Sequence, residues 1–74
     1  MNRYDDYGLN SNETYIYRVA KTILQEQKEW SLKDIEDAIN DAIELGMERR
    51  INNDYNYNLV KSRLCNWFDV KVAA

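Results

Sequence analysis

The chain contains no histidine and no proline, and it has one cysteine, Cys65, and two glycines. Without histidine it cannot form a Ser-His-Asp triad, a Cys-His dyad or a zinc site of His and Cys ligands. A single cysteine excludes an internal disulfide framework and is typical of a reducing compartment. The 74 residues suffice for one small domain. We therefore expect a protein that is not an enzyme.

The sequence also lacks a membrane segment and a complete metal-binding loop. No apolar run approaches the roughly 20 residues that span a bilayer, and no signal peptide opens the chain, so we expect a cytoplasmic protein without membrane contact. Asp54, Asn56 and Asn58 alternate as at the start of a calcium loop. However, Leu59 stands where the loop requires glycine, and Cys65 stands where it requires the final glutamate. We predict no metal and no cofactor.

Residues 1–9 are polar and aromatic, and we expect them to form a flexible arm ahead of a single helical domain over residues 10–74. A first helix is predicted to begin near Asn10, because Asn10 and Glu13 have the spacing of a capping box. Apolar residues then recur every three or four positions, which is the period of a helical face. This pattern predicts that the helix continues to about residue 29.

Ser31 marks the clearest boundary in the sequence. Serine is a good N-cap and Asp34 follows at capping-box spacing, so a second helix is expected to start at Leu32. Gly46 either ends this helix as a left-handed residue or lies within a helix that runs to Arg50. We favour the longer helix, because the residues after Gly46 are good helix formers.

The Asn-rich segment over residues 51–58 predicts a break between elements. After it, apolar residues recover the helical period up to Phe68, with Asn58 as the expected N-cap of a third helix. In an alternative interpretation, residues 55–59 form a short β-strand that pairs with residues 69–72, because both stretches alternate with period two. We predict an all-α domain in which a helical hairpin is closed by a C-terminal helix, with the short β pairing as a minor alternative.

One apolar core is expected to join the three helices. Cys65 lies beside its stripe and is expected to behave as a small core residue. The predicted core consists of Ile16, Val19, Ala20, Ile23, Leu24, Trp30, Ile35, Ile39, Ala42, Ile43, Val60, Leu64, Trp67 and Phe68.

Charge is distributed unevenly along the chain. Residues 1–48 hold 5 Lys/Arg and 11 Asp/Glu, net −6, whereas residues 49–74 hold 5 Lys/Arg and 2 Asp/Glu, net +3. No Lys or Arg lies between residues 34 and 48, so the second helix lacks the i,i+4 pairs that usually relieve like charges. Five acids, spaced three or four residues apart, are predicted to line one stripe of this helix about opposite its apolar face: Asp34, Asp37, Asp41, Glu44 and Glu48.

This acidic stripe and exposed tyrosines are the predicted partner-binding surface. We expect Tyr4, Tyr7 and Tyr17 to contribute, because one tyrosine ring supplies apolar area and a polar tip. The favoured function is a protein-interaction module, such as a phage-type inhibitor that binds a basic, nucleic-acid-binding surface of a protein in a host cell. An abundance of Asn, Tyr and Ile over Gly fits an AT-rich bacterial or phage coding sequence. The plainer interpretations are a solvated face, or a stripe that meets the chain's own basic C-terminal third.

An alternative function is a nucleic-acid-binding regulator of the helix-turn-helix type, with Gly46 in the turn. The motif expects apolar residues where the sequence has Asn52 and Tyr55. A looser variant would use the third helix, with Lys61 and Arg63 contacting phosphates. So few basic residues make nucleic acid a less favoured partner than protein. A homodimer that buries exposed Tyr and Trp side chains is a further alternative.

Overall fold

The computed structural model describes residues 8–48 and 53–71. Within these residues three α-helices follow one another, α1 (Ser11–Gln25), α2 (Leu32–Glu48) and α3 (Tyr57–Phe68), and there is no strand. The all-α, three-helix prediction is confirmed. The alternative strand over residues 55–59 is wrong, because α3 already begins at Tyr57. In the second stretch of the proposed pairing, residues 69–72, Asp69 is the left-handed C-cap of α3, with φ 57°.

The start of α1 is the predicted capping box. The Asn10 side-chain oxygen accepts a hydrogen bond from the Glu13 N–H at 2.8 Å, and Glu13 Oε1 accepts one from the Asn10 N–H at 2.9 Å. Each bond satisfies a backbone N–H that has no acceptor within the helix. The sequence spacing therefore predicted this helix start correctly.

The end of α1 differs from the prediction, because the helix stops at Gln25 rather than at about residue 29. Trp30 accounts for the difference. Its indole N–H donates to the Leu24 carbonyl at 2.7 Å, and its ring packs against Phe68 with the centroids 4.8 Å apart. The intervening residues are good helix formers, but this contact requires the chain to leave the helix and turn back.

The start of α2 matches the prediction, and Gly46 does not end the helix. Ser31 Oγ accepts the Asp34 N–H at 3.2 Å, while Asp34 Oδ2 accepts the Ser31 N–H at 2.9 Å. Gly46 is buried inside α2, which continues to Glu48. The remainder of the expected extension, to Arg50, lies outside the described residues.

The cap of α3 is Asn56, and the prediction of Asn58 is wrong. The Asn56 side-chain oxygen accepts a hydrogen bond from the Leu59 N–H at 3.1 Å. The backbone N–H of Asn56 donates to Glu13 Oε2 at 2.6 Å. Both asparagines are good caps by local criteria. The bond to Glu13, 43 residues away in sequence, is what favours Asn56.

The core lies where the three helices meet, and every predicted core residue is buried in it or packs against it. Cys65 is buried there as expected. The structure adds Tyr17, which is only 1% exposed. Its prediction as an exposed interface residue is therefore wrong, because it lies beside Ile16 on the inward side of α1. The buried apolar residues are Ile16, Tyr17, Ala20, Leu24, Ile35, Ala38, Ile39, Ala42, Val60, Leu64, Cys65 and Phe68.

Candidate protein-interaction surface

The acidic stripe lies on an unbroken 17-residue helix. Its buried side is formed by Ile35, Ala38, Ile39, Ala42 and Gly46. At 100° per residue, the stripe is centred roughly 140° away from this buried side. Four of its acids are exposed and Asp34 is half-buried. We refer to the exposed four as the acidic face: Asp37, Asp41, Glu44 and Glu48.

Asp34 has a structural role that separates it from the other four acids. Its Oδ2 accepts the Ser31 N–H at 2.9 Å and the Ser31 hydroxyl at 3.0 Å. A carboxylate in the first turn also interacts favourably with the positive end of the helix dipole. Asp34 therefore lies at the end of the stripe with its carboxylate engaged in the cap.

Asp37 has a counter-charge that lies just before residues 34–48. Lys33 lies four positions before it, and its Nζ is 3.3 Å from Asp37 Oδ2. The two side chains are 81% and 61% exposed. Exposed i,i+4 pairs stabilise a helix by only about 0.2–0.5 kcal/mol. A partner can therefore compete with Lys33 for Asp37 at little cost.

The C-terminal half of the acidic face has no such relief among residues 8–48 and 53–71. There, no Lys or Arg forms an ion pair with Asp41, Glu44 or Glu48. Glu44 lies three residues after Asp41 and four before Glu48, so it faces like charges in both directions. Negative charge is therefore concentrated over the last two turns of α2.

The ion pair between α2 and α3 uses a different acid. Lys61 Nζ lies 3.4 Å from Glu36 Oε2, on the side of α2 that faces α3. Tyr57 belongs to the same seam, with its ring centroid 5.8 Å from Lys61 Nζ. Burial, and secondarily the charges of Glu36 and Asp37, raises the pKa of the Tyr57 phenol above its ordinary value. In the described part of the chain, Lys61 of the basic C-terminal third thus pairs with Glu36 and not with the acidic face.

Two exposed apolar side chains flank the acidic face. Leu45 is 45% exposed and Met47 is 60% exposed. On a helical projection Leu45 falls on one edge of the face and Met47 beyond the opposite edge. A single exposed apolar residue is ordinary, but methionine beside a charged rim is typical of protein interfaces. The surface thus combines charge with apolar area that a protein partner can cover.

The other predicted sites are either outside the described residues or engaged in the fold. Tyr4 and Tyr7 lie outside them. A helix-turn-helix motif with Gly46 in its turn is wrong, because this glycine lies inside α2. In the looser variant based on α3, Lys61 is already paired with Glu36.

The thiol and one ligand of the calcium-loop pattern are engaged in the fold. Cys65 is buried, and this burial raises the pKa of its thiol, so the reactive thiolate is disfavoured. Asn56, which the calcium-loop pattern would use as a ligand, is instead the cap of α3. Across residues 8–48 and 53–71, no three Cys, Asp or Glu side chains are grouped so that they could hold a metal ion.

None of the three helices, over the part of the chain that the structure describes, combines the length and apolar character needed to cross a bilayer. Comparison of the chain with protein-family models, with curated proteins and with solved structures finds no match. The acidic face is therefore the feature of the molecule from which a function can be inferred.

Proposed function

We propose that this protein is a non-enzymatic interaction module whose acidic face binds a basic surface of another protein. The observation that carries the proposal is the group formed by Asp41, Glu44 and Glu48: three carboxylates on one side of a rigid helix, without an ion pair to the described residues. Such an arrangement costs helix stability through like-charge repulsion. A cationic partner would remove that repulsion on binding.

The spacing of these acids suits a surface that normally binds nucleic acid. Neighbouring residues on one helix face have Cβ atoms about 5–6 Å apart. Successive phosphates on one strand are roughly 6–7 Å apart, given an axial rise of about 3.4 Å and the winding path. The acidic face can therefore place carboxylates where a partner expects phosphates. The proposed role is that of an inhibitor, such as a phage protein acting in the cytoplasm of its host.

The test compares two triple variants that lose the same number of charges. The first removes the exposed carboxylates from the acidic face, through Asp41→Asn, Glu44→Gln and Glu48→Gln. The second removes exposed acids elsewhere, through Glu26→Gln, Glu29→Gln and Asp69→Asn. Each variant and the wild-type chain are used to capture partners from a bacterial lysate, and the affinity of the purified partner is then measured.

We expect the wild-type chain and the control variant to bind the same partner with similar affinity. The acidic-face variant should bind it at least about tenfold more weakly, equivalent to about 1.4 kcal/mol, and single-stranded or duplex DNA should compete with the wild-type chain. Equal affinity of all three proteins for the captured partner would refute the role of the acidic face.

The alternative function, a nucleic-acid-binding regulator that uses the basic C-terminal third, makes a separate prediction. Direct binding to DNA or RNA should appear at low salt and weaken steeply as salt rises, because phosphate neutralisation releases counterions. The pairing of Lys61 with Glu36 reduces the charge available for this mode. A gel shift by the chain alone at low salt would favour the alternative over the inhibitor.

A further inference from the structure

The segment that leads into α3 is fixed to the start of α1 by hydrogen bonds to its backbone. The Asp54 carbonyl accepts the side-chain amides of Asn10 at 2.9 Å and of Asn12 at 3.2 Å. Two residues later, the Asn56 N–H donates to Glu13 Oε2 at 2.6 Å. We refer to these three bonds, made by the side chains of Asn10, Asn12 and Glu13, as the latch.

Beyond the latch, α3 is attached to the α1–α2 hairpin by its buried side and by contacts with charged side chains. Lys61 Nζ lies 3.4 Å from Glu36 Oε2, in an ion pair whose side chains are 21% and 40% exposed. Such partly exposed pairs contribute little to stability. Lys21 Nζ of α1 lies 3.6 Å from the centroid of the Trp67 ring. The buried residues of α3 are Val60, Leu64, Cys65 and Phe68.

The α1–α2 hairpin has contacts of its own that do not involve α3. Helices α1 and α2 pack more extensively against each other than either does against α3. In the turn between them, the Trp30 indole N–H donates to the Leu24 carbonyl at 2.7 Å, and Ser31 and Asp34 form the capping box of α2. Among the described helices α3 is the shortest, with 12 residues against 15 and 17, and isolated helices of this length are marginal in water.

We propose that α3 opens from the α1–α2 hairpin as a unit, before global unfolding, and that Glu13 keeps it closed. In the closed state Glu13 Oε2 accepts the Asn56 N–H, which has no acceptor within the helix. Opening returns this N–H to water and exposes Cys65 together with the side of the hairpin that α3 covers. Local openings of this kind have smaller free energies than global unfolding. The inference does not depend on the proposed function, because α2 keeps its acidic face in the open state.

Cys65 is the probe for this opening. Its side chain is 2% exposed, so a water-soluble disulfide reagent reacts with it when α3 leaves the core. The labelling rate, divided by the rate for the unfolded chain, gives the equilibrium constant for opening. Urea unfolding of the same full-length chain, followed by circular dichroism, gives the constant for global unfolding. We expect the opening constant to be larger by at least about tenfold, equivalent to about 1.4 kcal/mol.

Two variants separate the latch from the stability of the hairpin. Glu13→Gln keeps an oxygen for the capping box with Asn10 but turns an amide NH2 toward the Asn56 N–H, so we expect it to raise the labelling rate at least about tenfold. Ser31→Ala weakens the start of α2, which is formed in both the closed and the open state. It should raise the global unfolding constant about fivefold and leave the labelling rate within about twofold of wild type.

A milder variant, Asn12→Ala, keeps the latch testable if Glu13→Gln does not fold. It removes one of the two amides that donate to the Asp54 carbonyl, so the labelling rate should rise about threefold. Labelling of the wild-type chain no faster than global unfolding allows would overturn the proposal, and so would a labelling rate that rises with Ser31→Ala as much as the unfolding constant does. A labelling rate that neither Glu13→Gln nor Asn12→Ala changes would refute the role of the latch.

Discussion

At the scale of single residues, Glu13 joins two helix starts. It is a buried charged side chain, 6% exposed, and each of its carboxylate oxygens accepts one backbone N–H, from Asn10 and Asn56. A Glu13→Gln substitution keeps the shape but places an amide NH2 against one of these N–H groups. Because a buried donor then loses its acceptor, we expect a loss of about 1–3 kcal/mol in unfolding free energy. Urea unfolding followed by circular dichroism measures it.

The control for this prediction is Glu26→Gln, which makes the same chemical change at an exposed residue. Its unfolding free energy should stay within about 0.5 kcal/mol of wild type. Equal stability of the two variants would show that Glu13 does not hold the helix starts together. A change in the slope of the denaturant dependence would instead indicate an altered unfolded or native state.

The sequence predicted one of the two contacts that Glu13 makes with helix starts. The bond between Asn10 and Glu13 spans three residues, so local spacing reveals it. The bond between Glu13 and Asn56 spans 43 residues, and no local pattern indicates it. For the same reason the prediction of Asn58 as the cap of α3 was wrong: the partner that favours Asn56 lies on another helix.

At the scale of elements, the starts of α1 and α2 and most of the buried faces were predictable, whereas the end of α1 was not. The starts of α1 and α2 follow from capping boxes, which are properties of four consecutive residues. The end of α1 is set by Trp30, which reaches back to the Leu24 carbonyl and across to Phe68. Tyr17 was misplaced because an aromatic residue with a polar tip suits either a core or an interface.

The position of the acidic stripe was predictable from the sequence, but not every partner of its carboxylates was. The spacing of the acids places them on one stripe because a helix has a fixed period. The capping-box spacing already assigned Asp34 to the start of α2, as the hydrogen bond at Ser31 confirms, but the acid pattern does not reveal that Lys33, one position outside the acidic segment, reaches Asp37. The exposed part that remains without an ion pair among the described residues is therefore shorter than expected, and it centres on Glu44.

Glu44 provides a prediction that separates stability from binding. Glu44→Gln removes repulsion with Asp41 and Glu48, while glutamine has a similar helix propensity. We expect α2 to gain about 0.2–0.5 kcal/mol for each relieved pair at low salt, and the gain to fade near 1 M salt as screening increases. Thermal unfolding by circular dichroism at the two salt concentrations measures this.

The matched control for that measurement is Glu29→Gln, in the turn between α1 and α2. It should give no comparable gain, because Glu29 lies outside the helices, so its three-residue spacing from Glu26 does not place the two carboxylates on one helical face. If Glu44→Gln instead destabilised the protein, Glu44 would have a favourable contact within the molecule. The acidic face would then be explained by stability rather than by a partner.

At the scale of the whole molecule, opposite sides carry opposite charges. The acidic face lies on the outer side of α2, whereas Arg18, Lys21 and Arg63 lie on α1 and α3. A net charge of −3 conceals this separation. Two copies that approach through their acidic faces repel each other. Association of an acidic face with the basic side of a second copy would not close into a symmetric dimer, because the two surfaces differ and lie on opposite sides.

The apolar surface of the molecule decides between a monomer and a homodimer. A stable interface buries about 800 Å² on each partner, which is roughly 15% of the 5397 Å² total. In the described part of the chain, the exposed large hydrophobic side chains are Leu45 and Met47, and two such residues on separate edges of one helix supply little of that area.

We expect sedimentation velocity at moderate salt to show a monomer of 8.9 kDa over a tenfold range of concentration. A Leu45→Ser, Met47→Ser variant should sediment identically. A concentration-dependent dimer that this variant abolishes would contradict the prediction and identify the end of α2 as a self-association surface.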